Sequence, residues 1–489
     1  MMNKFRLSAI AAVITLLFST SRVLADDIYV GAATADITPK VPVALMGQFS
    51  LRITSTVETP LLASILIIES RDGKKTKDAT IFVSCDLVMI PAAMIDMVRE
   101  EVRRRIPGLD VSRIVVNATH THTSPVLEDG FYQIPKTGVT QVDEYRKFFT
   151  QKVSDGIEKA WKTRAGGCTF SWGLAPAVIA YNRRAVYTPG TGTKMYGKTN
   201  LPEFRNLEGY EDHGVNSFFV WNKEGKLIAM SVDVPCPSQE VESGMMIHAD
   251  FWDPVRTKLK QKYGDDLCVI AWTGAAGDQS PHLMYRFAAE ERMVALTKKP
   301  RIDQIATRIF NAVNETYDAV KEDRHSNITF GHKIDTLNLP MRLVTLSEYQ
   351  ATKELTDKYT EVMKNDPNSV DAYSRHAWNY QVIKRYENQK TDPFPKYKTE
   401  IHVLRIGDIA VCTNQFELFT DFGIRMQARS KALQTFVVQL AGPGSYLPSE
   451  KAMAGGGYSA VCQSNIIGPD GGQILVERTL QLIDELWVK

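Results

Sequence analysis

The sequence has few cysteines for its length of 489 residues, and none of them are closely spaced. The six cysteines lie at positions 85, 168, 236, 268, 412 and 462, without a Cys-x-x-Cys pair. This spacing excludes a small fold held together by a dense disulfide framework. One or two disulfide bridges are compatible with an oxidising compartment, but the spacing does not identify which cysteines would pair.

Beyond its N-terminus, the sequence also lacks an apolar run long enough to span a membrane, and it has no excess of basic residues. Two basic residues precede a short apolar run over positions 7–18, and Ala25 provides the small residue after which a signal peptidase cuts. We predict that residues 1–25 are a signal peptide and that the protein is exported, either periplasmic or secreted. Without the three cations of that segment the formal charge falls from +2 to −1, which argues against nucleic acid as a partner.

Strands and helices alternate along the rest of the chain. Apolar stretches such as "LLASILIIES" and "LCVIAWTG" predict strands, whereas "PAAMIDMVREEVRRRI" and residues 141–163 have the apolar period of helices. This alternation predicts an α/β fold with mixed β-sheets flanked by helices, in a single domain over residues 26–489. Residues 345–390 are polar and begin with the capping-box pair Thr345 and Glu348, so we predict a helical pair inserted into that domain.

The segment "VVNATHTHTSP" contains two of the nine histidines, two residues apart. On a strand, alternate side chains project to the same side, so we predict that His120 and His122 lie together. Two imidazoles on one rigid face are suited to binding a metal ion, or to acting as one ligand and one proton carrier. The alternative is a polar strand end whose histidines are solvated.

Three further segments contain candidate site residues. "TGAAGDQSPH" includes Ser280, a candidate nucleophile or substrate-binding hydroxyl, although the segment lacks the Gly-x-Ser-x-Gly spacing of a nucleophile elbow. In "TNQFELFTDFG", Glu417 lies in apolar surroundings and needs a cation or a metal ion as a partner. The glycine-rich "GPGSYLPSEKAMAGGGYSA" contains Tyr446 and Tyr458, which lie either at the rim of a site or in ordinary loops.

Taken in order, these segments resemble the neutral/alkaline, non-lysosomal ceramidase family, whose members are exported zinc hydrolases that cleave the amide bond of ceramide. The resemblance extends to "VGAATADITP" near the N-terminus and to "YNRRAVY" in the middle of the chain. It implies a neutral-ceramidase-like catalytic domain with Zn2+ as its cofactor. The implied roles are zinc ligand for His120, Glu417 and Tyr446, proton carrier for His122, active-site cation for Arg183, catalytic serine for Ser280 and second site tyrosine for Tyr458.

The sequence departs from the family pattern at three points. The segment aligned with the family's Val-His-x-Thr-Ser is "VPCPSQ", which has no histidine, so the remaining zinc ligand is expected to be either Cys236, as a thiolate, or His248. His282 stands where the family has an asparagine. The chain ends soon after the glycine-rich segment, so we expect the C-terminal β-sandwich of the family to be missing.

These observations predict an exported, zinc-dependent hydrolase that cleaves an N-acyl amide bond with a metal-activated water. Its substrate would be ceramide or a related N-acyl compound of lipid or sphingolipid metabolism, and such a small-molecule or lipid substrate is compatible with contact at a membrane surface. Two alternatives stay open because of the departures. One is a hydrolase of a different exported substrate, such as an acylated sugar, an ester or a glycoside, and the other is a metal-free binding protein.

Overall fold

The computed structural model describes residues 27–188 and 192–488. The predicted signal peptide at 1–25 therefore lies outside the described residues. The strands are β1 Asp27–Asp36, β2 Val43–Leu45, β3 Arg52–Thr54, β4 Leu62–Asp72, β5 Lys75–Cys85, β6 Ile114–Ala118, β7 Ala165–Gly166, β8 Thr169–Pro176, β9 Tyr181–Asn182, β10 Arg184–Tyr187, β11 Thr193–Met195, β12 Phe204–Leu207, β13 Gly214–Trp221, β14 Leu227–Val234, β15 Cys268–Thr273, β16 Gln279–Ser280, β17 Phe330–Pro340, β18 Lys396–Ile406, β19 Ile409–Thr413, β20 Glu417–Leu418, β21 Gln434–Val438 and β22 Tyr446–Leu447. The helices are α1 Ala92–Arg105, α2 Val142–Thr163, α3 Trp252–Tyr263, α4 Phe287–Thr297, α5 Arg301–Val320, α6 Leu346–Asn365, α7 Ala372–Gln389, α8 Thr420–Arg429, α9 Glu450–Gly455 and α10 Pro469–Leu486.

Three large sheets form the framework of the fold. The first has five strands in the order β6-β5-β4-β1-β7, and two sheets of four strands have the orders β15-β14-β13-β8 and β17-β18-β19-β21. Each sheet combines antiparallel pairs with one parallel pair, at β5–β6, β14–β15 or β19–β21. The predicted α/β class with mixed sheets and flanking helices is confirmed.

Each large sheet is covered by helices on one face and meets the other two sheets on the other face. In β4, residues 63–70 are all buried, which explains the continuous apolar sequence of this strand. Helix α2 packs on the first sheet through an apolar stripe at i, i+4 spacing, made of Tyr145, Phe149, Val153 and Ile157. Helices α3 and α5 cover the second sheet, and α8 and α10 cover the third. Residues of all three sheets share a central apolar cluster.

The carboxyl ends of three strands meet at one end of the sheets. The Thr273 hydroxyl at the end of β15 donates to Ala118 O at the end of β6 (3.4 Å), and Gln439 N after β21 donates to Thr273 O (2.9 Å). Ala118 N in turn donates to Leu440 O (3.1 Å). The loops that follow β6, β15 and β21 are therefore held next to one another, and these loops contain three of the candidate site segments.

Residues 345–390, predicted as a polar helical pair, form α6 and α7. The capping box is present, because Thr345 Oγ1 accepts from Glu348 N (3.2 Å) and Glu348 Oε2 accepts from Thr345 N (2.9 Å). The chain between the two helices is joined to the loop between β2 and β3, where Leu51 N donates to Val370 O (2.9 Å). The helical pair therefore lies against the β2–β3 loop.

The structure corrects the prediction for the histidine segment. Strand β6 ends at Ala118, and His120 has a positive φ of 69°, so the two histidines lie in a tight loop and not on a strand. The chain leaves the strand here because Thr119 N and His120 N donate to Cys85 O and Leu87 O, at and beyond the end of β5. The alternation argument is therefore wrong, although the two imidazole rings do lie together, with centroids 4.8 Å apart.

The described residues include all six cysteines, and none of these forms a disulfide bridge. Each of them is buried and unpaired. The one or two bridges that the sequence allowed are thus absent from the structure. Among residues 27–188 and 192–488, no helix has both the length and the apolar character needed to cross a membrane.

Candidate functional site

A buried ion pair holds the loop that follows β6. Arg256 on α3 donates two hydrogen bonds to the Asp86 carboxylate (2.6 and 2.9 Å), and both residues are buried. The same carboxylate accepts from the hydroxyl of Thr119 (3.3 Å), which directly precedes His120. An Arg–carboxylate pair with two parallel hydrogen bonds fixes orientation as well as distance. Asp86 therefore positions the backbone that carries His120.

The orientation of the His120 ring is set by its Nδ1 atom, which lies 2.7 Å from Val88 O. A carbonyl oxygen can only accept, so Nδ1 carries the proton and, in the neutral ring, Nε2 has a free lone pair. His120 Nε2 lies 3.4 Å from Glu417 Oε2 and 3.2 Å from His122 Nε2. The free lone pair thus lies beside a carboxylate oxygen and a second imidazole nitrogen.

The role of His122 Nε2 follows from Gln239 and Arg183. A guanidinium can only donate, and Arg183 Nη1 lies 3.2 Å from Gln239 Oε1, so the amide oxygen of Gln239 is the atom oriented toward Arg183. Gln239 Nε2 then donates to His122 Nε2 over 2.8 Å. His122 Nε2 is therefore an acceptor. Burial and the neighbouring His120 hold the pKa of His122 well below its usual value.

His120 Nε2 therefore has two other acceptor atoms beside it, His122 Nε2 and Glu417 Oε2, and the lone pair of His122 Nε2 is already taken by the Gln239 amide. Acceptors this close repel each other unless a proton or a metal ion lies between them. In tetrahedral zinc sites the bonds are about 2.0–2.1 Å long, so two ligand atoms are separated by about 3.3–3.5 Å. The separation of 3.4 Å between His120 Nε2 and Glu417 Oε2 matches that spacing. The donor chemistry here fits a cation.

A short parallel strand pair brings Tyr446 to the same point. The β20–β22 ladder pairs Glu417 with Tyr446, and the Tyr446 side chain contributes to lowering the pKa of the Glu417 carboxyl. Burial raises the pKa of Tyr446 well above its usual value. Burial alone would also raise the pKa of Glu417, but His120 and Arg183 outweigh it and lower that pKa.

Any set of three metal ligands at this point would have to include Tyr446. Histidine, cysteine, aspartate and glutamate side chains alone form no group of three or more that could hold a metal ion in residues 27–188 and 192–488. A nitrogen from His120, a carboxylate from Glu417 and a phenol oxygen from Tyr446 would supply three protein ligands. Three is the number that catalytic zinc sites use, with the fourth position left for water or substrate.

The structure does not support Cys236 as a further ligand. Cys236 packs in the apolar core of the second sheet, where its Sγ lies 3.5 Å from Pro237 O. The other candidate, His248, is buried, and its backbone carbonyl accepts from Thr121 and Thr123 (2.8 Å each). Among the described residues, the recorded partners of His120 Nε2 include neither Cys236 nor His248.

Arg183 is the buried cation of the site. Its guanidinium donates to the Tyr196 hydroxyl (2.8 Å), Gly277 O (3.0 Å) and the Tyr446 hydroxyl (3.2 Å), and it lies 3.9 Å from Glu417 Oε2. The Tyr196 hydroxyl donates onward to Ser280 Oγ (3.2 Å). Ser280 is fully buried on β16, and Arg183 directly follows β9, the partner strand of β16. The structure thus brings Arg183, Ser280 and Tyr446 into one hydrogen-bonded network.

Tyr458 lies at the rim of this network. Its ring centroid is 5.8 Å from that of Tyr446, and 39% of the residue remains exposed. Burial of its hydroxyl end raises the pKa of Tyr458. Tyr458 is therefore placed where a substrate would enter, and Tyr446 lies beneath it.

Three residues of the site were not identified from the sequence. Gln239 orients His122, Tyr196 joins Arg183 to Ser280, and Glu242 lies with its Oε2 atom 3.3 Å from His122 Nδ1 and its Oε1 atom 3.7 Å from His282 Nδ1. Gln239 is the last residue of "VPCPSQ" and Glu242 lies three residues beyond it, so both belong to the part of the chain where the family's histidine is missing. Tyr196 lies in no motif and is placed by a turn with φ of 53°.

The fold and site together define a mixed α/β protein with a buried polar centre at the carboxyl ends of its strands. No protein-family model and no curated protein matches the sequence. The folded chain is similar to the crystal structure of neutral ceramidase from Pseudomonas aeruginosa, with a TM-score of 0.67 over 95% of this chain and 76% of that chain, at 18% sequence identity. A structure described as ceramidase complexed with C2 is similar with the same TM-score and coverage at 16% identity. The neutral-ceramidase-like fold expected from the sequence motifs is confirmed.

Proposed function

We propose that the protein is a zinc-dependent hydrolase that cleaves N-acyl amide bonds. The observation that carries the proposal is the close approach of two acceptors, His120 Nε2 and Glu417 Oε2, at the 3.4 Å separation that the ligands of a tetrahedral zinc ion have. The likeness of the fold to neutral ceramidases supports the choice of amide hydrolysis among the reactions that such a site could perform.

His120, Glu417 and Tyr446 are the residues that would hold the metal ion. His120 is the best prepared of them, because Val88 O fixes its tautomer and ring orientation, as outer hydrogen bonds do in known metal sites. A bound zinc ion would supply a water whose pKa falls from ~15.7 toward ~7, so that hydroxide is available at neutral pH.

The remaining residues are suited to handling charge and protons. Arg183 carries a fixed positive charge beside the three acceptors, where it would stabilise an oxyanion that develops on the amide carbonyl. His122 Nε2 accepts a hydrogen bond from Gln239, so the same atom could take up a proton and return it to the leaving nitrogen. The Ser280 hydroxyl, held by Tyr196, is suited either to attack or to bind a polar group of the substrate.

The direct test is a panel of substrates that carry one acyl group as an amide, as an ester and as an acylated amino sugar, together with ceramide and a glycoside. We expect the zinc-equilibrated protein to release amine and carboxylate from the amides. His120→Ala should lose this activity, whereas His325→Ala, a histidine that stacks on Trp172, should keep it. If only the ester or only the glycoside is cleaved, the protein is a hydrolase of that bond and not of amides. If no substrate is turned over at full zinc occupancy, both amide hydrolysis and these alternative hydrolase activities are refuted.

We also propose that the protein is exported. The proposal is supported by the basic residues, the apolar run and the small residue at the end of segment 1–25. Expression with the complete N-terminus and mass spectrometry of the mature protein test it. We expect a chain that begins at Asp26 and is found outside the cytoplasm, and an uncut cytoplasmic chain would contradict export.

A further inference from the structure

An apolar pocket opens beside the three acceptor atoms. It has a volume of about 160 Å³ and is lined mainly by apolar and aromatic side chains. The principal lining residues are Met46, Phe49, Val88, Phe131, Tyr132 and Tyr458. Pockets of this kind bind the apolar part of a ligand, while a few polar groups at one end fix its orientation.

Three contacts join the pocket directly to the site. Val88, which lines the pocket, provides the carbonyl that orients His120. Gly47, also in the lining, lies so close to His122 that a Cβ atom added to it would be 2.4 Å from His122 Cγ. Tyr458 packs edge-on against Tyr446 at 5.8 Å. An apolar group in the pocket would therefore be attached within a few bonds of the reacting atoms.

Both apolar and polar groups surround the imidazole pair. The pocket next to His122 is mainly aromatic, whereas the other partners of His122 are the Gln239 amide and the Glu242 carboxylate, with His282 beyond. A substrate whose leaving amine is polar and whose acyl group is apolar matches this arrangement. The pocket is then the site for the acyl group.

Helix α7 supports one side of the pocket, because Trp378 packs against two of its lining residues, Phe49 and Tyr458. The Trp378 ring stacks on Tyr458 with centroids 5.8 Å apart and meets the edge of Phe49 at 5.1 Å. The helix is fixed to this loop because the Ser374 hydroxyl donates to Phe49 O and the Arg375 guanidinium lies 4.7 Å from the Phe49 ring centroid. The helical pair thus holds the aromatic wall of the pocket in place from behind.

The size of the pocket sets a limit on the acyl group. An apolar cavity of about 150 Å³ holds one benzene ring, and a group the size of a water molecule occupies about 30 Å³. A pocket of about 160 Å³ therefore takes an acyl chain of about six carbons, or one aromatic ring. A longer chain would have its remaining carbons in solvent, where they gain no burial.

We propose that the substrates are N-acyl amides of polar amines with a short aliphatic or single-ring acyl group, and that Trp378 maintains this limit by holding the lining residues Phe49 and Tyr458 in place. The inference rests on the proposed amide hydrolysis. It differs from that proposal in naming the acyl pocket, its capacity and the residue on α7 that supports its wall.

The test is kcat/KM for one polar amine acylated with chains of 2 to 16 carbons. Each buried methylene adds up to about fourfold in binding, so kcat/KM should rise up to about six carbons and then stop rising. In Trp378→Ala the rise should continue for several further carbons. Tyr380 is an exposed aromatic residue on the same helix, so Tyr380→Ala is the matched control. Its kcat/KM should stop rising at the same chain length as in the wild type. The inference would be overturned if the wild-type kcat/KM rose all the way to 16 carbons, or if kcat/KM levelled off at the same chain length in Trp378→Ala.

A binding measurement separates this inference from the proposed function. Calorimetric titration with straight-chain carboxylates of 2 to 12 carbons needs no turnover. The affinity of the wild type should increase with chain length up to about six carbons. Only in Trp378→Ala should it continue to increase beyond that length. If no amide is cleaved but this pattern holds, amide hydrolysis fails and the pocket assignment stands. If amides are cleaved but neither kcat/KM nor affinity levels off with chain length, the pocket assignment fails and amide hydrolysis stands.

Discussion

A methyl group added at Gly47 would test whether the β2–β3 loop holds His122 in its working position. Gly47 has φ of +105°, and its ideal Cβ would lie 2.4 Å from Cγ, 2.6 Å from Cβ and 2.7 Å from Nδ1 of His122. Carbon atoms in contact are about 3.5 Å apart, so the imidazole would have to move by about 1 Å. Displacements of that size from a productive geometry lower rates by about 100-fold.

We therefore expect Gly47→Ala to lower kcat/KM by about 100-fold. The positive φ adds a conformational cost of roughly 1–2 kcal/mol to the free energy of folding. Gly108→Ala separates the two effects, since Gly108 has φ of +87° and no atom within 4 Å of its ideal Cβ. This control should lose a similar amount of stability in urea unfolding but keep its activity.

The assay compares kcat/KM on one amide substrate with the urea midpoint for the wild type and both variants. If folded Gly47→Ala has the same kcat/KM as the wild type, activity does not depend on the position of His122 described here. An equal loss of activity in both variants would assign the effect to backbone strain and not to the contact with His122.

Two further predictions concern stability and metal binding. Burial raises the pKa of Asp233 from 3.8 to about 8. Between these pH values the folded protein keeps a proton that the unfolded chain has released. The free energy of unfolding therefore falls as the pH rises through this range. Asp233→Asn should remove this slope in urea unfolding and gain up to about 4 kcal/mol at pH 7, with the gain vanishing near pH 4; an unchanged slope would contradict this. Cys236→Ser should leave zinc affinity unchanged, because the thiol packs in the core, and a loss of zinc with intact folding would return Cys236 to the ligand set.

The sequence predicted the fold class, and it indicated candidate site residues through short segments whose chemistry is local. Alternating apolar patterns are sufficient to predict strands and helices, and the buried run of β4 and the stripe on α2 were correctly interpreted in this way. The candidate residues His120, Glu417, Tyr446 and Ser280 could be selected because each is a reactive group in a distinctive segment. Their proximity could be inferred only from a resemblance, since nothing in the pattern itself predicts that β20 pairs with β22.

The remaining features depend on contacts between distant parts of the chain. The sequence predicts a strand that extends through both histidines, whereas β6 ends at Ala118. It ends there because the backbone amides of Thr119 and His120 donate to carbonyls at and beyond the end of β5, and the local apolar pattern does not reveal these contacts. Gln239 was missed because its importance comes from its position between Arg183 and His122, not from its residue type. The contact of Trp378 with Tyr458 joins segments about 80 residues apart and becomes visible only in three dimensions.

The zinc content of the purified protein tests the central claim most directly. Wild type, His120→Ala and His325→Ala would be equilibrated with Zn2+, passed through a desalting column and measured by elemental analysis. The shared cation site predicts about one zinc per chain in the wild type and in His325→Ala, and less than about a tenth in folded His120→Ala. A wild type without zinc, or a His120→Ala variant with undiminished zinc, would contradict it.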